Sequence, residues 1–345
     1  MQLKKLWLHS VRSYLRLGMF FYFKRIYVHN VENVPKDKPV LLLANHQNAL
    51  LDALLIATKC GRFSYFLTRA AVFKKSFVSK ILKSLQMLPV YRVRDGWNNI
   101  SNNNAIFENC SEILNKNEVI VIFPEGSHNL ARRVRPLSKG FTRIVFDTLE
   151  KYPDLDLQLV PIGLNFVKAE NCPDSAAMYF GKSFAAKDFI TANKNEGVIK
   201  LKEAVHSKIK SLTTHIPEEN YETDLQKLNN HNVDFLNPNE VNLCLKNNFK
   251  NCETKSRNKT RFLNNIFQLL LKINLIVPYL IWKFVAQPKI REIEFKSTFR
   301  FALALTLVPL YLLIITFIII SFSSVSIGLI YLISSLLLAL LAIKL

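Results

Sequence analysis

Between residues 40 and 180, short apolar runs alternate with longer stretches of mixed polarity. The runs are 40–44 (VLLLA), 63–68, 87–92, 119–123, 158–166 and 177–180. Between them, 48–59, 72–85, 100–115 and 138–151 show the spacing of helices with one apolar face. The strand-like runs are apolar almost throughout instead of alternating, as expected for strands buried on both faces. The pattern therefore predicts an α/β domain: a mainly parallel sheet flanked by helices. Beyond Gly181 the signal weakens. Residues 198–230 read as polar helix, and 231–261, rich in Asn and Lys, as a linker or mobile surface loop.

The two ends carry a different pattern. Residues 3–28 interleave Leu6, Trp7, Leu8, Val11, Leu15, Phe20 and Phe21 with Lys4, Lys5, Arg12, Arg16, Lys24 and Arg25. No uncharged run there reaches the roughly 18 residues that a membrane span needs, and the mixture suits a helix lying in the headgroup layer. Residues 266–285 are apolar but interrupted by Lys272, Asn274, Pro278 and Lys283, an interfacial helix or a defective span. Residues 301–320 are uncharged and mostly apolar, and after a Ser-rich break at 321–328 a second run covers 329–343. These predict a C-terminal transmembrane helical hairpin. Lys289, Arg291, Lys296 and Arg300 precede it and Lys344 follows, which places both ends, and the globular part, on the cytosolic side. The expected organisation is 1–29 interfacial helix, 30–190 α/β domain, 191–262 helical extension and linker, and 263–345 membrane tail.

Charge narrows the partners. The formal net charge is +20, and residues 1–145 hold 23 Lys and Arg against 8 Asp and Glu. Such a surface attracts anions. Membrane segments in the same chain favour lipid headgroups or phosphorylated small molecules, and the absence of zinc-finger or RNA-binding signatures argues against nucleic acid. Five scattered cysteines without a CxxC pair argue against a disulfide framework or a zinc site and for a reducing compartment. The N-terminus shows no cleavable signal pattern.

Two stretches carry candidate chemistry. NHQNALLD (45–52) follows the 40–44 strand, placing His46 at the strand mouth and Asp52 in the next helix. In open α/β sheets that crevice is where ligands bind, and a His beside an Asp can serve as a general base held in one tautomer. IFPEGSH (122–128) follows the 119–123 strand, so a parallel sheet brings both to one edge. Gly126 permits close backbone approach, and Glu125 offers an acceptor. Taken alone, each stretch also reads as an ordinary structural turn.

Together they resemble the glycerophospholipid acyltransferase family, membrane enzymes that acylate glycerol 3-phosphate, lysophosphatidate and related lysolipids. NHQNALLD resembles the family's N-H-x4-D block; LPVYR (88–92) resembles the second, a strand ending in arginine; FPEGSH resembles F-P-E-G-T-R; and LVPIG (159–163) resembles the proline-containing fourth. The four stand in family order over roughly residues 30–190. The resemblance implies that His46 takes the proton of the acceptor hydroxyl as it attacks an acyl thioester, and that Asp52 orients His46. It further implies that Arg92 and the Phe123, Pro124, Glu125, Gly126, Ser127 and His128 stretch hold the acceptor, with Pro161 on the acyl-donor side. No metal or cofactor is implied; acyl-CoA or acyl carrier protein enters as a substrate. Acceptors are lysophosphatidate, or alternatively glycerol 3-phosphate or another lysolipid.

Two departures stand out. Five residues, not four, separate His46 from Asp52. On one continuous helix that offset is about 600°, which puts the two side chains on different faces. The dyad requires His46 in the turn and a helix starting near Asn48, an N-cap residue type. At 128, histidine stands where the family block ends in arginine. Arg132, Arg133, Arg135 and Lys139 follow and would supply the charge or form a solvated basic face; Arg69 is another phosphate candidate. Two other readings are weighed. A serine hydrolase lacks its G-x-S-x-G elbow; a peripheral scaffold binding anionic lipid predicts that His46 is dispensable.

Overall fold

The computed structural model describes residues 2–91, 103–255 and 261–345. Its strands are β1 (Phe23–His29), β2 (Val40–Ala44), β3 (Ser64–Arg69), β4 (Met87–Val90), β5 (Val119–Ile122), β6 (Gln158–Phe166), β7 (Asp174–Phe180) and β8 (Phe184–Ala185). They form one sheet in the order β1-β7-β6-β2-β5-β3-β4, with β8 on the start of β6. The pairs β1/β7, β6/β2, β2/β5, β5/β3 and β3/β4 are parallel, and β6 meets β7 and β8 antiparallel.

Helices cover both faces, which is why the central strands are apolar on alternate and intervening positions alike. Every residue of β2 and β6 is buried. On one face Val40, Leu42 and Ala44 pack under Leu51, Leu55 and Ile56 of α2 (Ala49–Lys59) and under Met19 and Tyr22 of α1 (Gln2–Tyr22). On the other, Leu41 and Leu43 meet Phe107 of α4 (Asn103–Asn115), Phe141 and Ile144 of α5 (Gly140–Lys151), and Leu201 and Val205 of α6 (Lys194–Ser211). A short helix, α3 (Ser76–Ser84), joins β3 to β4.

Three expectations are corrected. The N-terminal helix stops at Tyr22, and residues 23–29 enter the sheet as β1. Ile26, Tyr27 and Val28 favour extended backbone, and β7 offers a partner edge. The Asn- and Lys-rich stretch after 230 is not a bare linker. Helix α7 (Tyr221–Asn230) and α8 (Pro238–Lys246) bury Leu228, Val233, Phe235 and Val241 in a small core of their own, and Tyr179 of β7 donates from its hydroxyl to Leu236 O (2.9 Å). Within it Cys244 and Cys252 are joined by a disulfide, Cα atoms 4.9 Å apart. The expectation of no disulfide, and the compartment argument resting on it, therefore fall away.

The tail begins with α9 (Arg261–Asn274) and α10 (Ile276–Leu280), which meet at a 95° bend. Then α11 (Lys296–Phe322) and α12 (Val325–Lys344) are long and apolar enough to cross a bilayer. The start of α11 is part of the globular core. Ser297 is buried and donates to Ala169 O (2.6 Å), Arg300 donates to Tyr22 Oη (3.2 Å) and Glu170 O (2.5 Å), and Phe301 packs edge-on against Tyr22.

Candidate active site

His46 and Asp52 meet at the C-terminal edge of β2. Asp52 Oδ2 lies 2.8 Å from His46 Nδ1 and accepts the Asn48 N–H at 2.7 Å. Because the carboxylate accepts, Nδ1 carries the proton and Nε2 keeps its lone pair. Asp52 is fully buried, and the His46 side chain retains 16% exposure. Between His46 and Asp52 the chain turns into α2 through Ala49, the first residue of the helix, which takes φ 42°, a left-handed backbone that alanine rarely adopts. The helix proper starts after His46, so Asp52 reaches back over one turn.

Amides hold this loop. Asn45 donates to Leu164 O (3.0 Å) and accepts from Leu164 N (2.7 Å), extending by side chain the β2/β6 ladder that ends at Ala44 and Ile162. Asn48 donates to Ala169 O (2.9 Å) and Gln47 to Leu130 O (2.8 Å). The second stretch closes over the first. The Phe123 carbonyl accepts from Gly126 N (3.0 Å), making a tight turn, with Gly126 at φ 73°. Glu125 Oε1 accepts the His46 N–H (3.1 Å), and the His46 carbonyl accepts from Asn129 N (3.0 Å), so the histidine backbone is clamped on both sides.

Glu125 is nearly fully buried, and its other oxygen accepts from Arg135 Nε (2.7 Å); Arg135 also donates to Ser127 Oγ (2.8 Å). Burial pushes the Glu125 carboxyl above its ordinary range, while Arg135 and the His46 N–H pull it back. Both Glu125 oxygens are thus engaged within the chain, and the residue holds His46 in place. Ser127 serves Arg135, and the Pro124 carbonyl accepts from Ser138 N (2.8 Å).

Aromatic rings bracket the imidazole. Phe123 stacks on His46 (centroids 4.0 Å, 15°), His128 meets His46 edge-on (5.6 Å), and Phe295 from the tail meets His128 edge-on (4.6 Å). Burial lowers the His128 pKa, as does His46, and Glu294 and Glu292 oppose the fall. The ligating atoms of His128, Glu292 and Glu294 lie within 4.8 Å of one another, donors that could hold a cation. Glu292 is largely exposed, however, so a solvated carboxylate beside an imidazole accounts for the same geometry.

The remaining candidates separate. Arg69 ends β3, two strands from β2 on the same sheet edge. Arg92 lies outside the described residues. Pro161 is buried inside β6 opposite Leu43, below the mouth where His46 sits. Three of the basic residues after His128 do not form a free face. Arg132 donates to Phe166 O (2.7 Å) and Val167 O (2.5 Å) and stacks over Phe235 (3.8 Å), Arg133 pairs with Glu218 (2.6 Å), and Arg135 serves Glu125. From sequence Asn45 is missed, Asn48 is given only the role of a helix N-cap (its side chain makes no cap hydrogen bond), Arg135 is read as acceptor-binding or surface charge, and Phe295 is missed. Three amides within four residues at a strand end were the available signal for the first two.

Residues 25–165 match the family model described as Acyltransferase. The glycerol-3-phosphate O-acyltransferase 1 of Saccharomyces cerevisiae is 25% identical over 115 residues, 32% of this chain and 15% of the relative. A probable 1-acyl-sn-glycerol-3-phosphate acyltransferase of Mycoplasma pneumoniae is 26% identical over 143 residues, 39% of this chain and 51% of the relative. The chain thus spans about half or less of the length of these curated relatives. The crystal structure of the 1-acyl-sn-glycerophosphate acyltransferase PlsC from Thermotoga maritima aligns with TM-score 0.45 and 19% identity, over 61% of this chain and 80% of that one. The matched stretch holds the 45–52, 88–92, 122–128 and 159–163 motifs, and over residues 25–165 the chain is similar to the acyltransferase family.

Proposed function

We propose that the chain is a membrane-anchored O-acyltransferase that moves a fatty acyl group from an acyl thioester to the hydroxyl of 1-acylglycerol 3-phosphate. The observation that carries this reading is the 2.8 Å contact between His46 Nδ1 and the buried Asp52 carboxylate at an open sheet edge. His46 Nε2 takes the acceptor's hydroxyl proton as its oxygen attacks the thioester carbonyl. The tetrahedral adduct then collapses, the C–S bond breaks, and the leaving thiolate recovers the proton from Nε2. Ester and free thiol are the products, and the histidine returns to its starting state. Asp52 stabilises the imidazolium formed midway, the role of the third member of a catalytic triad. The thioester is already activated, so no covalent acyl-enzyme is required.

Glycerol 3-phosphate is the second acceptor, favoured by the yeast relative's name. Coenzyme A and acyl carrier protein are both suitable thiol carriers. Helices α11 and α12 provide the anchor, and the basic residues flanking them support a cytosolic catalytic domain.

The test uses membranes from cells expressing the wild type or His46→Ala, given labelled acyl thioester with either acceptor. The expected result is labelled phosphatidate from lysophosphatidate, reduced about 10²- to 10⁴-fold in the mutant, the range for loss of a general base. Product from glycerol 3-phosphate alone would move the enzyme to the earlier acylation. Equal rates in mutant and wild type would refute the role of the dyad.

A further inference from the structure

Helix α3 is short, basic and open on its outer face. Phe77 and Ile81 lie one turn apart on that face, and Phe77 is 75% exposed. Lys80 and Lys83 lie together on one flank of that pair, and Lys74 and Lys75 precede the helix. From Arg69 to Tyr91 the chain carries no acidic residue, and none of these four lysines has an ion pair with a described residue. Val78 and Leu82 turn inward, so the outward apolar pair is not the helix's packing face.

The surface continues into the rest of the molecule. Trp7 of α1 donates from its indole N–H to Ser84 Oγ at the end of α3 (3.2 Å), beside the exposed Leu3 and Leu6. Farther along α1, Tyr14 donates to the Leu305 carbonyl, Gly18 lies against the Leu305 side chain, and Tyr22 packs on Phe301, all of α11. Through these contacts α1, whose Leu3, Leu6, Trp7, Tyr14, Leu17 and Phe20 side chains are exposed, joins the first bilayer-length helix to α3. Because α3 connects the C-terminal end of β3 to the start of the parallel strand β4, its first turn lies towards the sheet edge that carries His46.

We propose that α3 is a second lipid-contacting element, separate from α1 and the C-terminal hairpin. Phe77 and Ile81 enter the acyl boundary, and Lys74, Lys75, Lys80 and Lys83 lie against anionic headgroups. A basic face beside an apolar pair is the pattern of helices that rest in the interface of anionic bilayers. The charge complementarity and the continuity with α1 and α11 commit this face to a bilayer. The inference does not depend on the chemistry assigned to His46, but it does rest on α11 and α12 lying in a membrane.

The test places a nitroxide on Phe77→Cys in the full chain, reconstituted in nanodiscs of phosphatidylcholine or of equimolar phosphatidylcholine and phosphatidylglycerol. Collision with oxygen and with a water-soluble nickel chelate reads the depth of the label. A label on Lys200→Cys, on α6 across the sheet, is the water-exposed control. In anionic discs the label at 77 is expected to be oxygen-accessible and several-fold protected from nickel. Lys80→Glu/Lys83→Glu is expected to return it to water while the protein stays in the disc. Nickel access equal to that at 200 would overturn the proposal. Equal protection in neutral and anionic discs would overturn the role of the lysines. Protection that persists in detergent and grows with protein concentration would assign the face to a second copy instead. Failure of the chain to enter discs, read separately by flotation, would remove the membrane premise and the inference with it.

Discussion

Replacing Arg135 by alanine is expected to destabilise the α/β domain in a pH-dependent way. Glu125 is 3% exposed, and Arg135 is the partner of its Oε2. Breaking a buried ion pair by removing one member costs about 3–5 kcal/mol, because the remaining charge is uncompensated. The carboxyl can escape by taking a proton. At neutral pH, protonating a group with an ordinary pKa of about 4.3 costs about 3.7 kcal/mol, at 1.36 kcal/mol for each pH unit. Both routes give a loss of about 3–4 kcal/mol near pH 7, on the order of a 10 °C fall in Tm for a domain of this size. The sign follows from the direction of the shift. Burial already raises the Glu125 pKa, and removing Arg135, the largest opposing influence, raises it further. A carboxyl whose folded pKa exceeds its unfolded value has no penalty below the unfolded pKa and a growing one as pH rises towards the folded value. Arg135→Ala should therefore approach the wild type near pH 4.5 and fall away from it towards pH 7. Scanning calorimetry of detergent-solubilised protein across that range measures the difference. Adding Glu125→Gln to Arg135→Ala should recover most of the loss, since a neutral amide can still accept from the His46 N–H. A loss equal at both pH values, or unaffected by Glu125→Gln, would refute the reasoning.

Other substitutions test other parts of the fold and site. A Cβ at Gly163 would lie 2.0 Å from the Leu212 carbonyl oxygen, so Gly163→Ala should cost about 1–3 kcal/mol or more by thermal unfolding. Phe295→Ala removes the outer ring against His128; an aromatic pair is worth about 0.5–1.5 kcal/mol, so kcat should fall by up to about tenfold. KM for the thioester should stay unchanged, and Phe295→Tyr should restore kcat; loss in KM alone would contradict a positioning role. At Ala49, glycine relieves a left-handed cost of roughly 1–2 kcal/mol but forfeits a buried methyl worth about 0.8 kcal/mol and chain entropy of about 0.5–1 kcal/mol. Ala49→Gly should thus unfold near the wild-type temperature, whereas the β-branched Ala49→Val should be clearly destabilised.

Much of this architecture was legible because burial on both faces leaves a strong mark. The runs that became β2, β5 and β6 are apolar almost throughout, and the parallel order of β2 and β5 carried the 45–52 and 122–128 stretches to one edge. The offset of five residues between His46 and Asp52 showed that no continuous helix could hold the pair, but nothing in an alanine announces a positive φ. β1 was hidden because its alternation with Lys24 and Arg25 continues the amphipathic pattern of α1. The helices after 220 were hidden by composition: a core as small as Leu228, Val233, Phe235 and Val241 barely colours an Asn-rich stretch. Arg132 and Arg135 looked like surface charge, since main-chain carbonyls such as those of Phe166 and Val167 leave no trace in sequence as cation partners. Phe295 was out of reach for a related reason, because its neighbour His128 is distant along the chain and they meet only through the docking of the tail.

That docking fixes a length. With Ser297 and Phe301 inside the globular core, α11 emerges without a flexible joint, and helical rise converts residue count directly into height at 1.5 Å per residue. The reactive edge then rides at a constant altitude and bearing above the lipid, unlike an enzyme swinging on a tether. An added residue near the exit from the core would lift the body slightly and swivel it by about 100°. The stretch just after Phe301 therefore behaves as a ruler and a compass, with tolerance for sequence change but little for insertion.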